Sequence, residues 1–274
     1  MGLIEFENIS KSYDGENQVI DDLNLSIKEG EFVTILGPSG CGKTTLLKMV
    51  NKLIIPDKGA VYVRGKALEE WDTIKLRRSI GYVIQQIGLL PHITIEDNIN
   101  YVLSISNGNN YPKKRAKELI QLVGLTQNYL TKYPRQLSGG QKQRIGVARA
   151  LAADPDIILM DEPFGAVDEI TRTQLQDEFV EIQEKLKKTI LLVTHDIQEA
   201  VKLGTKIVLL NNGKIEQVGS TKDLVFNPKS DFVKSFLGIK GFQATLNREV
   251  MKHAYERLLS SEDTIEDFYR KFEG

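Results

Sequence analysis

Eight consecutive residues near the N-terminus have the types and the spacing of a loop that wraps around phosphate. They are Gly37, Pro38, Ser39, Gly40, Cys41, Gly42, Lys43 and Thr44. A buried-strand pattern precedes them and a helical pattern over 45–53 follows, which is the setting that such a loop requires. Glycines let several backbone N–H groups point at phosphate oxygens, and the helix adds its positive end. We predict a nucleotide site in which Lys43 reaches the terminal phosphates, Thr44 binds Mg²⁺ and Thr45 adds a contact.

Two adjacent carboxylates follow a second buried strand. The apolar run 157–160 ends directly at Asp161 and Glu162. Carboxylates at the end of a buried strand need a partner, and near a phosphate loop that partner is usually a metal ion. We predict that Asp161 holds Mg²⁺, and that Glu162 polarises the attacking water as a general base or a positioning group.

A second helix start of the anion-binding type lies in the middle of the chain. It consists of Ser138, Gly139, Gly140 and Gln141, and a helical pattern continues to residue 152. One nucleotide does not need two such sites on one chain, so we expect this one to serve the nucleotide of a second subunit. With Leu137, these residues resemble the signature motif of the ABC transporter ATPases. The resemblance implies ATP and Mg²⁺ as cofactors and an ATP-dependent homodimer.

Four further residues match motifs of that family, in the family's order. The resemblance implies that Tyr13 stacks on adenine and that Gln85 senses Mg²⁺ and water. It also implies that Asp168 belongs to a loop at the dimer interface and that His195 is a switch residue near the γ-phosphate. Val167 stands where the family more often has Leu, a departure that leaves Asp168 in place.

The expected fold is α/β, because short apolar runs alternate with helical patterns. We predict strands over 23–27, 31–36, 157–160 and 189–194, a β-hairpin over 207–218 and an exposed helix over 175–187. By resemblance, residues 1–238 form the nucleotide-binding domain of a P-loop ABC ATPase. Its parts would be a parallel central sheet, an antiparallel β subdomain and a helical insert at about 87–150. We predict a helical tail over 239–274, with helices at 249–259 and 264–272.

Composition and charge limit the classes of binding partner that we expect. The 274 residues carry a net charge of -1, so the strongly basic footprint of a nucleic-acid-binding protein is missing. One cysteine excludes an internal disulfide, and no stretch approaches the roughly 18 apolar residues that span a bilayer. The resemblance therefore implies a separate membrane permease as partner, contacted near 89–92. It also implies an indirect role for a substrate-binding protein and a place on the cytoplasmic side of the membrane.

The transported solute is suggested only by fine resemblance. The stretches 76–95 and 162–179 look like ATPases of quaternary-amine importers, which take up glycine betaine, carnitine or choline. Many such relatives carry paired regulatory CBS modules, for which 239–274 is too short. Three alternatives stay open: an importer ATPase for another solute such as an amino acid, a soluble ABC ATPase, and a P-loop phosphotransferase. Co-purification with a membrane protein would separate the importers from the last two.

Overall fold

The computed structural model describes residues 2–85, 88–108, 111–112, 114–165, 168–246, 256–258 and 260. The strands are β1 (Ile4–Ser12), β2 (Gln18–Ile27), β3 (Phe32–Leu36), β4 (Lys58–Val63), β5 (Lys66–Ala67), β6 (Ile80–Val83), β7 (Ile157–Asp161), β8 (Thr189–Thr194), β9 (Lys206–Asn211) and β10 (Lys214–Gly219). The α-helices are α1 (Lys43–Val50), α2 (Thr73–Arg78), α3 (Ile95–Asn107), α4 (Arg115–Leu122), α5 (Gly139–Leu151), α6 (Glu169–Leu186), α7 (Ile197–Leu203), α8 (Thr221–Phe226) and α9 (Asp231–Thr245).

A six-stranded sheet forms the centre of the fold, in the order β10-β9-β3-β8-β7-β6. All neighbours in it are parallel except β9 and β10, which form the predicted hairpin. Every residue of β3, β7 and β8 is buried, since helices and a second sheet cover the two faces. Continuous burial explains why these strands appear in the sequence as unbroken apolar runs, and their prediction is confirmed.

The second sheet is antiparallel and has the order β2-β1-β4-β5. Its inner face packs against α1 and one face of the parallel sheet. Arg64, in the β4–β5 turn, connects the two sheets: its Nε donates to Asp156 Oδ2 (2.8 Å) and its Nη1 to Ser79 Oγ (3.0 Å). Trp71 lies beside this connection, with Nε1 donating to Val63 O (3.2 Å) and Lys66 Nζ 5.3 Å from the ring centroid.

The helical insert is confirmed between β6 and β7. Within the described part of 88–150, α3, α4, α5 and short 3-10 turns occur and strands do not. The other face of the parallel sheet packs against α5 and α6, where Phe179 makes edge contacts with Phe32 (5.9 Å) and Phe164 (6.3 Å between centroids). The prediction that α6 is exposed was wrong for one face, because its apolar residues are spaced to reach this core.

The end of α1 differs from its predicted position, and the C-terminal helices are described only in part. Helix α1 ends at Val50 rather than Leu53, because Lys52 has a φ of 57°, outside helical geometry. At the C-terminus, α8 and α9 pack on each other and on α7 and β10, and α9 has a non-helical residue at Gly238. The predicted helices 249–259 and 264–272 lie outside the described residues, apart from a helical 256–258. Among described helices, none combines the length and apolarity of a membrane span.

Candidate nucleotide-binding and hydrolysis site

Three neighbouring strand ends position the candidate site. Strand β8 pairs with β3 on one side and β7 on the other, with Leu36 opposite Thr194 and Asp161 opposite Val193. Because the strands are parallel, the loops that leave their carboxyl ends meet at one edge of the sheet. That edge carries the phosphate loop after β3, the two acids of β7 and the histidine after β8.

The phosphate loop curls around the start of α1. Gly42 has a φ of 102°, and a Cβ there would lie 2.6 Å from Val19 O, so both conformation and space require glycine. The Lys43 ammonium is buried against its own loop, donating to Gly37 O (2.8 Å) and Pro38 O (2.6 Å). An open pocket forms above the loop, lined by Val19, Ser39, Gly40, Gly42, Lys43, Thr44, Thr45 and Glu162.

A tyrosine, Tyr13, lies beside the pocket, where the base of a bound nucleotide would be expected. Tyr13 is 63% exposed, and its hydroxyl is 3.1 Å from Thr45 Oγ1. An exposed ring fixed at its hydroxyl end can accept a stacked base, and Lys11 Nζ lies 5.8 Å from the ring centroid. Val19 also lines this pocket and was missed, because nothing in the alternating pattern of β2 distinguishes it from other strand residues.

Thr44 and Asp161 fit the donor set of a Mg²⁺ site. Thr44 Oγ1 donates to Asp161 Oδ1 at 2.9 Å, so a hydroxyl and a carboxylate meet at the rim of the phosphate pocket. Burial raises the pKa of Asp161, and the neighbouring Glu162 charge raises it further. A divalent cation beside this carboxylate would stabilise its ionised form, and hard oxygen ligands are those that Mg²⁺ prefers.

Glu162 connects two other predicted catalytic residues, Gln85 and His195. Its Oε2 accepts from Gln85 Nε2 (2.9 Å), and its Oε1 lies 3.1 Å from His195 Nδ1. Its backbone is left-handed, with a φ of 45°, and its N–H donates to Val193 O (3.0 Å). Non-glycine residues in this region are uncommon and strained, and they cluster at functional sites. The turn after β7 thus aims the carboxylate along the edge of the pocket.

The signature loop, residues 138–141, is held by hydrogen bonds between its own residues. Ser138 caps α5: its Oγ accepts from Gln141 N (3.3 Å), while Ser138 N donates to Gln141 Oε1 (3.0 Å). Gln141 Nε2 donates to Tyr129 OH (3.0 Å), so the amide is held at both ends. Tyr129 was missed, since nothing in the sequence brings its hydroxyl to the loop; Gly139 and Gly140 form the first helical turn.

Asp168 plays a similar local role at the start of α6. Its carboxylate accepts from Thr171 N (3.0 Å), and this bond lowers the pKa of Asp168. In the part of the chain that the structure describes, no hydrogen bond or ion pair connects Asp168 or residues 138–141 with the phosphate loop. The chain therefore brings Lys43, Thr44, Asp161, Glu162, Gln85 and His195 together at one edge, whereas no hydrogen bond or ion pair of the described residues joins the signature loop or Asp168 to them.

Comparisons with known proteins identify the family of the chain. Residues 20–165 match the family model described as ABC transporter. The choline transport ATP-binding protein OpuBA of Bacillus subtilis is 51% identical over 237 residues, which are 86% of this chain and 62% of that protein. The carnitine transport ATP-binding protein OpuCA of Listeria monocytogenes is 52% identical, over 86% of this chain and 60% of that protein. The chain thus spans about three fifths of the length of these curated relatives.

Two further matches cover the relative more fully. The glycine betaine uptake system ATP-binding protein YehX of Escherichia coli is 45% identical over 86% of this chain and 77% of that protein. Among solved structures, a dimeric post-hydrolysis state of the ATP-binding cassette MJ0796 bound to ADP and Pi superposes with a TM-score of 0.71. It has 37% identity and covers 79% of this chain and 98% of that one. The extent of these matches, together with the strand-end chemistry, makes the chain a member of the ABC transporter family.

Proposed function

We propose that this chain is the ATP-hydrolysing subunit of an ABC importer that takes up quaternary-amine osmoprotectants through a separate permease. The observation that carries the proposal is the meeting of Lys43, the Thr44–Asp161 pair and Glu162 at one edge of the sheet. Phosphoryl transfer needs positioning and charge stabilisation rather than covalent catalysis, and this edge supplies both.

Each residue at the edge has a separate task in hydrolysis. Thr44, Asp161 and Gln85 would hold Mg²⁺, which when bound neutralises charge on the phosphates. Lys43 pairs with the terminal phosphates from the base of the pocket. Glu162 accepts a hydrogen bond from the attacking water and orients it, while Gln85 and His195 hold the two oxygens of that carboxylate.

The signature loop acts on a second copy of the chain. The start of a helix favours phosphate, and no hydrogen bond of the described residues joins this one to the phosphate loop of its own chain. In the proposed homodimer, each ATP lies between residues 37–44 of one protomer and 138–141 of the other, and Asp168 lies at the interface. The dimeric state of the similar MJ0796 cassette supports this arrangement.

The permease is proposed to bind beside the helical insert. The loop before α3 is fixed there, since Leu90 N donates to Asn98 Oδ1 (2.8 Å) and Asn98 Nδ2 donates to Leu90 O (3.1 Å). Pro91 and His92 are exposed at its tip. An adjacent cavity opens between the core and the insert, lined by Arg77, Arg78, Ile80, Gly81, Tyr82, Val102, Arg149, Ala150, Ala153 and Pro155. A permease loop seated here places the chain at the cytoplasmic face of the membrane.

The solute class is supported by relatives rather than by chemistry of this chain. OpuBA is named for choline, OpuCA for carnitine and YehX for glycine betaine. A permease and a substrate-binding protein select the solute, and the binding protein acts on this subunit only through the permease.

Reconstitution tests the whole proposal. The chain is combined with its candidate permease and binding protein in liposomes, and ATP hydrolysis is measured with and without glycine betaine, carnitine or choline. We expect one of them to stimulate hydrolysis, and Glu162→Gln to remove the stimulated rate. An intact complex whose rate of ATP hydrolysis is not changed by any of the three solutes would contradict the quaternary-amine assignment. A chain that hydrolyses ATP but binds no membrane protein would contradict the transporter assignment and favour a soluble ABC ATPase.

A further inference from the structure

A buried carboxylate lies behind the histidine of the site. Glu199, on α7, is 4% exposed. Its Oε2 accepts from Thr194 Oγ1 at 2.8 Å, while Oε1 is buried and has no hydrogen-bond partner among the described residues. Leaving a buried polar oxygen unpaired costs stability, so the retention of an acid here calls for a role.

Glu199 closes a small network around His195. The Thr194 hydroxyl that donates to Glu199 also accepts from Asp196 N (2.9 Å), so one buried oxygen spans the backbone on both sides of His195. Asp196 Oδ1 in turn accepts from Gln198 N (2.8 Å) and Glu199 N (3.2 Å). The network is anchored in the sheet, because Thr194 is the last residue of β8 and is 1% exposed.

The charges around Glu199 favour its neutral form. Burial raises the pKa of Glu199 to about 8, and the carboxylates of Asp196 and Glu162 also raise it. The Thr194 hydroxyl and the Arg172 guanidinium, from α6, act in the opposite direction. Arg172 is partly engaged elsewhere, with Nη1 3.8 Å from Asp196 Oδ2. From the remaining elements, His195 and Lys240 of α9 line the cavity that adjoins Asp196.

We propose that Glu199 is a positioning residue: through the Thr194 hydroxyl it holds the loop that keeps His195 Nδ1 within reach of Glu162 Oε1. The inference rests on the proposed hydrolysis, in which His195 and Gln85 orient the Glu162 carboxylate. Ionised Glu199 places a second negative charge beside Asp196 and draws water into the network. The His195 loop then loses its fixed position, and the rate of hydrolysis falls.

The same ionisation links pH to stability, with a defined sign. The pKa of Glu199 is raised from 4.5 to about 8 on folding. The stabilisation from this proton is therefore fully present below pH 4.5 and is lost as pH rises through about 8. The melting temperature should therefore fall as pH rises from 4.5 toward about 8, whereas the positioning of His195 should be lost only as Glu199 ionises in the folded chain, near pH 8.

The test compares two variants of Glu199 with the exposed control Glu184→Gln on α6. The kcat and KM for ATP are measured from pH 6 to pH 9 on the full chain. Glu199→Gln keeps the shape and removes the titration, so it should retain the neutral-pH kcat and lack the alkaline fall of the wild type. Glu199→Ala releases Thr194, and its kcat should drop by up to about tenfold with KM unchanged, the size expected for loss of one hydrogen bond. Glu184→Gln should follow the wild type throughout.

A second pair of variants, at Thr194, keeps the proposal testable if Glu199→Ala does not fold. Thr194→Val removes the hydroxyl with little change of shape, whereas Thr194→Ser keeps it. We expect kcat to be lower for Thr194→Val and to return to the wild-type value for Thr194→Ser. The melting temperatures of both variants should show that they are folded. Coincident pH profiles of Glu199→Gln and wild type, or a wild-type kcat for Thr194→Val, would overturn this inference alone. A wild-type chain without ATP hydrolysis would overturn the proposed function as well.

Discussion

The phosphate-loop edge and the signature loop use similar chemistry but are built in opposite ways. At the edge, side chains far apart in sequence converge: Gln85 and Glu162 are separated by 77 positions, and Thr44 and Asp161 by 117. In the signature loop, the side-chain bonds run over short distances in sequence, with Ser138 and Gln141 three positions apart.

This difference supports the proposal that two copies of the chain complete each site. The edge depends on the folded sheet and holds the carboxylate proposed to orient the water and the Thr44–Asp161 pair proposed to hold Mg²⁺. The signature loop needs only its own helix start and Tyr129, so it is a preformed anion site that can be presented to another molecule. In the proposed homodimer, a second copy of the chain supplies what each region lacks.

The largest expected effect comes from Glu162→Gln, which keeps the shape of the edge and removes the base. We expect kcat to fall by about 10²–10⁴-fold, the range for loss of a general base, with ATP binding retained. Because ATP stays bound, the dimer should accumulate and be visible by size-exclusion chromatography with ATP. Hydrolysis at the wild-type rate would show that this carboxylate does not act on water.

Mixed dimers test whether the signature loop acts on the nucleotide of the partner or on that of its own chain. Wild-type chain is mixed with an excess of either Lys43→Ala or the double variant Lys43→Ala/Ser138→Ala. In trans, the double variant should lower the remaining activity by about 10–100-fold, since a hydrogen bond to a charged phosphate contributes about 1.5–3 kcal/mol. Equal activity in the two mixtures would place the signature loop in cis.

The smallest expected effect concerns the outer anchor of the signature loop. Tyr129→Phe removes the hydroxyl that holds Gln141 Nε2. A neutral hydrogen bond contributes about 0.5–1.5 kcal/mol, so we expect a two- to tenfold loss in kcat/KM for ATP. Tyr101→Phe, at an exposed position of α3, is the matched control. A loss as large in the control would assign the effect to the insert as a whole.

The sequence predicted the strand ends of the candidate site and little of its internal geometry. Strands β3, β7 and β8 were predictable because both faces are covered, which demands unbroken apolar runs, and their ends fix where Thr44, Asp161 and His195 emerge. Local capping was equally predictable at Ser138, since serine with glutamine three positions later is a recognisable helix start.

Other features depend on long-range packing that no local pattern records. The left-handed backbone of Glu162 follows from the bond of its N–H to Val193 on the neighbouring strand. Glu199 lies in a stretch that resembles any amphipathic helix, and only the packing of the folded chain turns it into a buried acid beside Thr194. The apolar face of α6 was predicted as exposed because covering residues such as Phe32 come from a distant segment of the chain.

Trp71, beside the Arg64 connection, can report by its fluorescence whether the two sheets unfold cooperatively. Trp71 is the single tryptophan of the sequence and lies beside that connection, between the antiparallel and parallel sheets. Its fluorescence reports that junction during denaturation by urea, whereas far-ultraviolet circular dichroism reports the chain as a whole. Coincident transitions would mean that the two sheets melt as one unit. An earlier fluorescence transition would show that they separate first.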